Sequence, residues 1–176
     1  MVPILDSAIT ATYRDHDLAT VEAYDPLLNT WTPLAPMSVP RSGFAAVTAP
    51  DGRIYAIGGN SSTPTTLEAY DPTTKSWTAR APLPRPRGYP GATLGTDGRI
   101  YVLGGYDPLN GNRVLNTVDV YDPQLDSWTP GPSMITARHL FGVATEAADR
   151  IYAIGGANAQ GPMTAAEVLT SGAGRL

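Results

Sequence analysis

The side chains best suited to chemistry are few in this sequence, and they lie far apart. Among 176 residues there are no cysteines and two histidines, His16 and His139. The lack of cysteine excludes a thiol nucleophile, a thiolate metal site and a disulfide framework. The segment Arg-Asp-His-Asp at residues 14–17 carries ligand atoms but has no second ligand cluster, so we interpret it as a solvated loop. The sequence therefore predicts neither a metal ion nor a cofactor.

Four aspartates stand in the string Tyr-Asp-Pro, and three of them, Asp25, Asp71 and Asp122, follow a regular spacing. Evenly spaced carboxylates would suit calcium binding or acid–base catalysis. The surrounding residues favour a different role, because proline presets φ for a turn and an aspartate side chain accepts hydrogen bonds from the amides that follow it. We therefore interpret all three as turn residues. The stretch around Asp107 and Asn110 is likewise a polar connection, since it lacks the glutamate that closes a calcium loop.

The same string belongs to a longer repeat, which is found by subtracting residue numbers. The glycine pairs Gly58-Gly59, Gly104-Gly105 and Gly155-Gly156 are separated by steps of 46 and 51 residues. Three other residue types follow the same steps: Tyr24, Tyr70 and Tyr121; Trp31, Trp77 and Trp128; and Arg41, Arg87 and Arg138. A period of about 50 residues with these signatures is typical of kelch propeller blades. Over roughly residues 18–169 the chain resembles the kelch-repeat family.

This resemblance implies an all-β fold of kelch-type blades, each a four-stranded antiparallel sheet, in an incomplete propeller. Residues 1–17 match no part of the repeat. We expect a partial blade of two strands over 18–40, complete blades over 41–86 and 87–137, and a partial blade of three strands over 138–176. Within the model repeat the strands are expected near 43–48, 53–58, 66–70 and 76–79. The composition agrees, because 18 glycines and 17 prolines suit many short strands and tight turns.

The repeated aromatic residues and glycines are predicted to be structural. A blade stacked between two others buries both faces, so Trp77 and Trp128 should be mostly buried and contact a neighbouring blade. A stacking platform for sugars or bases is the alternative for these tryptophans. The glycine pairs end the second strand of each blade, where the chain must turn at positive φ or pass close to a neighbour.

Antiparallel strand order also predicts ion pairs inside each blade. The start of strand one, the end of strand two and the start of strand three share one edge of the sheet. Opposite charges recur there, and we expect pairs between Arg41 and Glu68, Arg87 and Asp119, and Arg138 and Glu167. At the other edge Arg53 and Arg99 should approach Asp71 and Asp122. A structural role is favoured for these arginines, because burying an unpaired charge is costly.

Two sets of loops on one face are commonly used for binding in kelch-like propellers, and function often resides on such loops. The resemblance therefore implies a binding or scaffold module, not an enzyme, with a protein or peptide partner of acidic or polar character. The candidate binding residues are Arg41, Asn60, Arg85, Arg87, Tyr89, Tyr106, Asn110, Arg138, His139 and Asn158.

Two alternatives remain at this stage. Some kelch-like propellers are enzymes, such as galactose oxidase, whose copper site needs a cysteine-modified tyrosine that this chain cannot supply. A sialic acid mutarotase is the closer enzymatic alternative, with His139 and Glu146 as the local acid–base candidates. The other alternative is a fragment without independent function, because the repeat count falls short of a ring.

Charge and hydropathy limit which partners and which cellular compartment the sequence predicts. The net charge of −4 gives no basic field for a phosphate backbone, and no run of 18 apolar residues is present. Neither nucleic acid nor a membrane is therefore expected as a partner. The N-terminal residues lack a signal-peptide pattern, which with the lack of cysteine favours the cytoplasm. An extracellular location would require a preceding segment.

The partial blades predict self-association. Exposed strand edges and blade faces carry unpaired backbone groups and apolar side chains, and two copies placed end to end would supply strands for about six or seven blades. We expect the isolated chain to associate as its concentration rises, which sedimentation velocity will measure. A compact monomer at every concentration, with a cooperative thermal melt, would contradict this and favour closure with four blades.

Overall fold

The apolar run before each glycine pair forms a strand, as the sequence predicts. The structure, a computed structural model, describes residues 17–170, and this part of the chain contains strands and turns but no helix. The strands in chain order are β1 (Val21–Asp25), β2 (Thr30–Leu34), β3 (Ala45–Thr48), β4 (Ile54–Ile57), β5 (Leu67–Asp71), β6 (Ser76–Ala79), β7 (Gly91–Leu94), β8 (Ile100–Leu103), β9 (Tyr106–Asp107), β10 (Arg113–Val114), β11 (Val118–Asp122), β12 (Ser127–Gly131), β13 (Gly142–Glu146), β14 (Arg150–Ile154), β15 (Ala157–Asn158), β16 (Gly161–Pro162) and β17 (Ala166–Thr170).

These strands form four successive antiparallel sheets. Sheet I pairs β1 with β2, and sheet II has the order β3-β4-β5-β6. Sheet III has the order β7-β8-β11-β12, and sheet IV has the order β13-β14-β17. The all-β class and the expected strands of the model repeat are confirmed, with shifts of one or two residues at their ends. Two short hairpins, β9–β10 and β15–β16, follow glycine pairs and were not predicted.

Neighbouring sheets pack face to face through two apolar clusters. The first contains Tyr55 and Ile57 from sheet II with Tyr121 from sheet III. The second repeats this arrangement one sheet further, with Tyr101 from sheet III and Ile151 from sheet IV. The first strands also meet, β3 with β7 and β7 with β13. Sheet III is covered on both faces by these clusters, and its second strand therefore reads as a continuous apolar run without alternation.

The glycine pairs join one sheet to the next. In sheet II, Gly59 has φ of +98° and its amide donates to the carbonyl of Arg87 in the next repeat, at 2.8 Å. Gly105 makes the same bond to Arg138 at 2.9 Å. A Cβ atom on Gly58 would lie 2.6 Å from the Arg87 carbonyl oxygen, so a side chain would force the two sheets apart. Both reasons predicted for these glycines, positive φ and close approach, are present.

The three regularly spaced Tyr-Asp-Pro strings form the turns between the third and fourth strands. Each aspartate side chain accepts a hydrogen bond from the backbone amide two residues later, as the sequence predicts. The bonds run from Leu27 to Asp25 at 2.8 Å, from Thr73 to Asp71 at 2.8 Å and from Gln124 to Asp122 at 2.9 Å. These carboxylates are therefore used within their own turns.

Two of the repeated tryptophans bridge to the preceding repeat, as the sequence predicts. The indole nitrogen of Trp77 donates to the carbonyl of Ala35, and that of Trp128 donates to Ala81, each at 2.8 Å across to the preceding repeat. Both rings remain partly accessible, and Trp31 is 58% exposed. Contact with the neighbouring sheet is confirmed for Trp77 and Trp128, and so is the prediction that both residues are mostly buried.

Trp128 and Trp31 occupy the same repeat position in different surroundings, and they form a matched pair of test sites. Trp128→Ala removes packing against the first apolar cluster and the bond to Ala81. We expect it to lower the free energy of unfolding by about 3 kcal/mol, measured by urea denaturation. Trp31→Ala should cost less than about 1 kcal/mol, as for most exposed positions. Equal losses at the two positions would show that the indole's contact with the preceding repeat does not stabilise the fold.

Candidate functional site

The chain returns three times to the same edge of the stacked sheets. Arg41, Arg87 and Arg138 stand just before the first strand of sheets II, III and IV, and the glycine pairs end the second strand at that edge. Isolated bridges tie the two segments together, with Gly88 opposite Tyr106 and His139 opposite Ala157. We call this edge the loop face, comprising residues 41–44, 87–90 and 138–141 and the segments that follow each glycine pair.

A buried arginine binds several segments of the loop face in each of sheets II, III and IV. Arg87 of sheet III shows the arrangement best. Its Nη2 lies 2.5 Å from Asp119 Oδ2 at the start of the third strand. Its Nη1 donates to the carbonyl of Gly104 at 2.5 Å and to that of Thr117 at 3.0 Å. One guanidinium thus holds the ends of three chain segments. Burial lowers the pKa of Arg87 from its ordinary value, although the charge and hydrogen bond of Asp119 oppose that shift.

The other two sheets repeat this pair. Arg41 binds the carboxylate of Glu68 and the carbonyl of the first glycine of its pair. Arg138 Nη2 lies 2.6 Å from Glu167 Oε1, and its Nη1 again donates to the first glycine of the pair. Burial lowers the pKa of Arg41 as it does in sheet III. All three predicted pairs at this edge are confirmed.

The carboxylate partners also hold the segment that leads into each arginine. Glu68 accepts hydrogen bonds from the amide and hydroxyl of Ser38. Glu167 accepts bonds from the amides of Ile135 at 2.6 Å and Thr136 at 3.0 Å. Burial alone would raise the pKa of Glu167, but the hydrogen bonds to the carboxylate and the charge of the nearby arginine outweigh it and lower the pKa. In sheets II and IV the connection into the first strand is therefore anchored by the same ion pair.

This burial corrects the set of candidate binding residues. The whole-residue exposure of Arg41 is 2%, and Arg87 and Arg138 have none. Their charges are neutralised by carboxylates and their two terminal nitrogens bind protein oxygens, so they are withdrawn as direct contacts for a partner. Their predicted structural role accounts for them instead.

Of the two ion pairs predicted at the opposite edge, one is present and one is not. Arg53 reaches Asp71, with Nη2 and Oδ2 3.2 Å apart. The pair between Arg99 and Asp122 is wrong, because Arg99 Nη2 lies 2.7 Å from Asp97 Oδ2 instead. Asp97 stands two residues before the arginine in the Asp-Gly turn. The equivalent Asp51 lies 3.3 Å from Arg53, which nevertheless also reaches the third strand.

Four of the predicted binding residues come together on the loop face. The ring centroids of Tyr89 and Tyr106 are 5.9 Å apart, and those of Tyr106 and His139 are 6.0 Å apart with the planes at 89°. The Tyr106 hydroxyl donates to Asn60 Oδ1 at 2.6 Å. We call these four residues the aromatic cluster. Its members come from three successive repeats, with Tyr106 at the centre.

A left-handed backbone position places one side chain of each repeat at this edge. Gly43, Tyr89 and Leu140 have φ of +56°, +46° and +54°, and they follow their arginines at the same distance. A Cβ on Gly43 would lie 2.7 Å from the Tyr89 ring, so this glycine makes room for the aromatic cluster. Positive φ is uncommon for residues other than glycine. Leu140 is 59% exposed, and sequence reasoning missed it, although subtracting the repeat steps aligns it with Tyr89.

An open cleft lies beside the aromatic cluster. It has a volume of about 330 Å³ and is lined by Tyr106, Asn112, Val114, His139, Asn158 and Ala159. A second cleft of about 530 Å³ continues from it and adds Arg113 and Gln160 to the lining. The two short hairpins supply most of these walls. Asn158 therefore faces the cleft as a candidate binding residue, through a hairpin that the sequence did not predict.

The remaining two candidates lie outside the first cleft. Asn110 is exposed at the tip of the β9–β10 hairpin. Arg85 has a side chain that is 40% exposed, with its Nε 3.2 Å from Asp119 Oδ2. Both are accessible, and Arg85 shares its carboxylate with the buried arginine of sheet III.

The proposed acid–base pair is not assembled. His139 precedes β13, whereas Glu146 ends that strand and is engaged by Arg150 Nε at 3.1 Å and by the Tyr152 hydroxyl at 2.8 Å. This placement gives the mutarotase alternative no support. Over residues 17–170 no group of three or more His, Asp or Glu side chains is placed to hold a metal ion. The ligand segment considered at 14–17 lies outside the described residues except for Asp17.

The described residues contain no helix that is both long and apolar enough to cross a membrane. The accessible part of the loop face is a mixed surface of aromatic rings, amide side chains and a few cations.

The stacked antiparallel sheets and their repeated edge define blades of an incomplete β-propeller. The family model of the kelch motif matches residues 14–38, 40–84 and 87–135, and the chain belongs to the kelch-repeat family. Kelch-like ECH-associated protein 1B of Danio rerio is 41% identical over 146 residues. That alignment covers 83% of this chain but only 17% of the relative, so the chain spans a small part of that protein's length.

Removing one buried arginine should destabilise the fold far more than removing an exposed one. Arg87→Met leaves Asp119 buried opposite an apolar side chain and frees two carbonyls, and we expect a loss of about 3–5 kcal/mol in urea denaturation. Arg99→Met, at the partly exposed pair with Asp97, should cost less than about 1 kcal/mol. A loss below about 1 kcal/mol for Arg87→Met as well would contradict the role assigned to the buried pair.

Proposed function

We propose that this chain is a protein-binding module that holds a peptide segment of its partner on the loop face. The aromatic cluster beside the open cleft is the observation that carries the proposal. Tyrosine and histidine rings offer apolar area with a polar tip, which is the character of residues enriched at protein interfaces. The same loops are held by buried ion pairs, so the contact surface is positioned before a partner arrives.

The shape and polarity of the cleft favour an extended peptide. It is open, whereas small-molecule sites usually enclose most of their ligand. Asn112 and Asn158 line it, and an asparagine amide can both donate to and accept from a peptide backbone. Tyr106 and His139 offer ring surfaces for an apolar side chain. The cleft therefore provides backbone partners and an aromatic wall together.

An acidic or polar peptide remains the proposed class of ligand, but fewer charges support it than the sequence suggested. Three arginines of the loop face are buried, and their charges are neutralised by carboxylates. Arg113 is exposed and lines the second cleft, and Arg85 lies on the path into β7. We infer that these two cations give the loop face a moderate preference for peptides with acidic residues.

The relative supports the general class of function. Its name describes a protein associated with another component, ECH, and an association of that kind fits a module with an accessible loop face. Closure of the ring by a second copy, which would cover the open sheet edges, is a further proposal addressed by the sedimentation measurement. Among residues 17–170, no contact favours an enzymatic role over these.

The test is selection of random displayed peptides on the purified chain, followed by affinity measurement of the enriched sequences. We expect Tyr106→Ala to weaken their binding by about tenfold or more, as for a central aromatic hot spot. Tyr106→Phe should have a smaller effect, since it keeps the ring and loses the bond to Asn60. The matched control is Leu125→Ala, which removes a 73% exposed side chain from a turn at the opposite edge.

Two results would contradict the proposal. One is enrichment of peptides whose binding is weakened equally by Tyr106→Ala and Leu125→Ala, because that would place the site elsewhere. The other is the failure of any peptide to be enriched on a chain that circular dichroism shows to be folded.

A further inference from the structure

The tip of the β9–β10 hairpin carries a dipeptide whose chemical reactivity the peptide-binding proposal does not use. Asn110-Gly111 is the one Asn-Gly pair in the sequence, and both residues are exposed. We propose that Asn110 is a site of spontaneous deamidation, through which the loop face acquires a carboxylate in the absence of any enzyme. The proposal concerns the chemistry of this chain and does not depend on the identity of a partner.

The reaction requires the backbone nitrogen that follows an asparagine to reach its side-chain carbonyl carbon. The new bond joins Gly111 N, which loses its proton, to Asn110 Cγ. The bond from Cγ to the side-chain amide nitrogen breaks, and that nitrogen takes up a proton and leaves as ammonia, so a cyclic imide remains. Water then adds to either imide carbonyl. Opening on one side gives aspartate, and opening on the other gives isoaspartate, which has an additional backbone methylene group.

The hairpin leaves both reacting groups accessible. The Gly111 amide makes no hydrogen bond within the described part of the chain. A Cβ added at Gly111 would meet no atom within 4 Å, so nothing crowds the attacking nitrogen. The backbone bonds that hold the turn, from Asn110 to Asp107 and from Arg113 to Asn110, are long at 3.3 Å each. This tip can therefore rearrange without disturbing a packed neighbour.

Two other asparagines are held by hydrogen bonds, which makes them internal controls. Asn60 Oδ1 is held by the Tyr106 hydroxyl at 2.6 Å, and Asn116 Nδ2 donates to the Met134 carbonyl at 3.0 Å. Each is followed by a residue with a side chain, which hinders ring closure where a glycine does not. Asn112 is exposed like Asn110 but precedes an arginine.

The product would change the electrostatics of the second cleft. That cleft is lined by Gly111, Asn112 and Arg113. The Arg113 amide donates a hydrogen bond to the Asn110 carbonyl. A carboxylate at position 110 would partly neutralise the exposed cation of this wall. This consequence for binding rests on the proposed function, whereas the modification itself does not.

The experiment follows the modification by peptide mapping with mass spectrometry and isoaspartate detection, in folded and urea-unfolded chains kept in the same mildly alkaline buffer. We expect Asn110 to convert in the folded chain at a rate within a few-fold of that in the unfolded chain, as a mixture of aspartate and isoaspartate. Asn60 and Asn116 should convert far more slowly when folded. Asn110→Gln should abolish the main product, and Asn112→Gln should leave it unchanged.

The proposal would be overturned if Asn110 stayed intact in the folded chain while it converted in the unfolded one. Conversion of Asn60 or Asn116 as fast as Asn110 in the folded chain would overturn it equally. Both readouts are independent of peptide binding, so failure of this proposal and failure of the proposed function are distinguishable.

Discussion

The buried pair between an arginine and a carboxylate is the interaction on which the rest of this structure depends. In each of sheets II, III and IV it joins the entry to the first strand, the glycine turn after the second and the start of the third. Burying a guanidinium is costly unless every donor finds a partner. That requirement explains why the glycine carbonyl and the carboxylate lie where they do in all three repeats, and why the loops between them have defined positions.

Because these arginines are buried in ion pairs, the surface that a partner can reach on the loop face is formed by its other residues. Tyr106 contacts Tyr89, His139 and Asn60 from three successive repeats. A single blade cannot form this group, since its members meet only when the sheets are stacked at the spacing that the glycine pairs allow. The candidate site is therefore a property of the assembled blades, and its rigidity derives from the ion pairs beneath it.

The sequence predicted what depends on the repeat and missed what depends on local competition or on neighbouring sheets. Equal spacing located the strands and the pair between Arg87 and Asp119. It failed for Arg99, which binds Asp97, whereas Arg53 at the same repeat position binds both Asp51 and Asp71. Exposure of Trp31 and the β9–β10 hairpin could not be inferred either, since the first depends on what packs against sheet I and the second on a loop whose length is unique to its repeat.

Amide hydrogen exchange on Arg87→Met tests the central claim most directly, because it reports each loop separately. If the buried pair positions the loop face, the variant will lose protection at residues 104–106 and 117–119 while the strands of sheet II keep theirs. Arg99→Met should leave the same amides protected. Unchanged exchange at residues 104–106 in Arg87→Met, or a loss spread evenly over all sheets, would contradict the account.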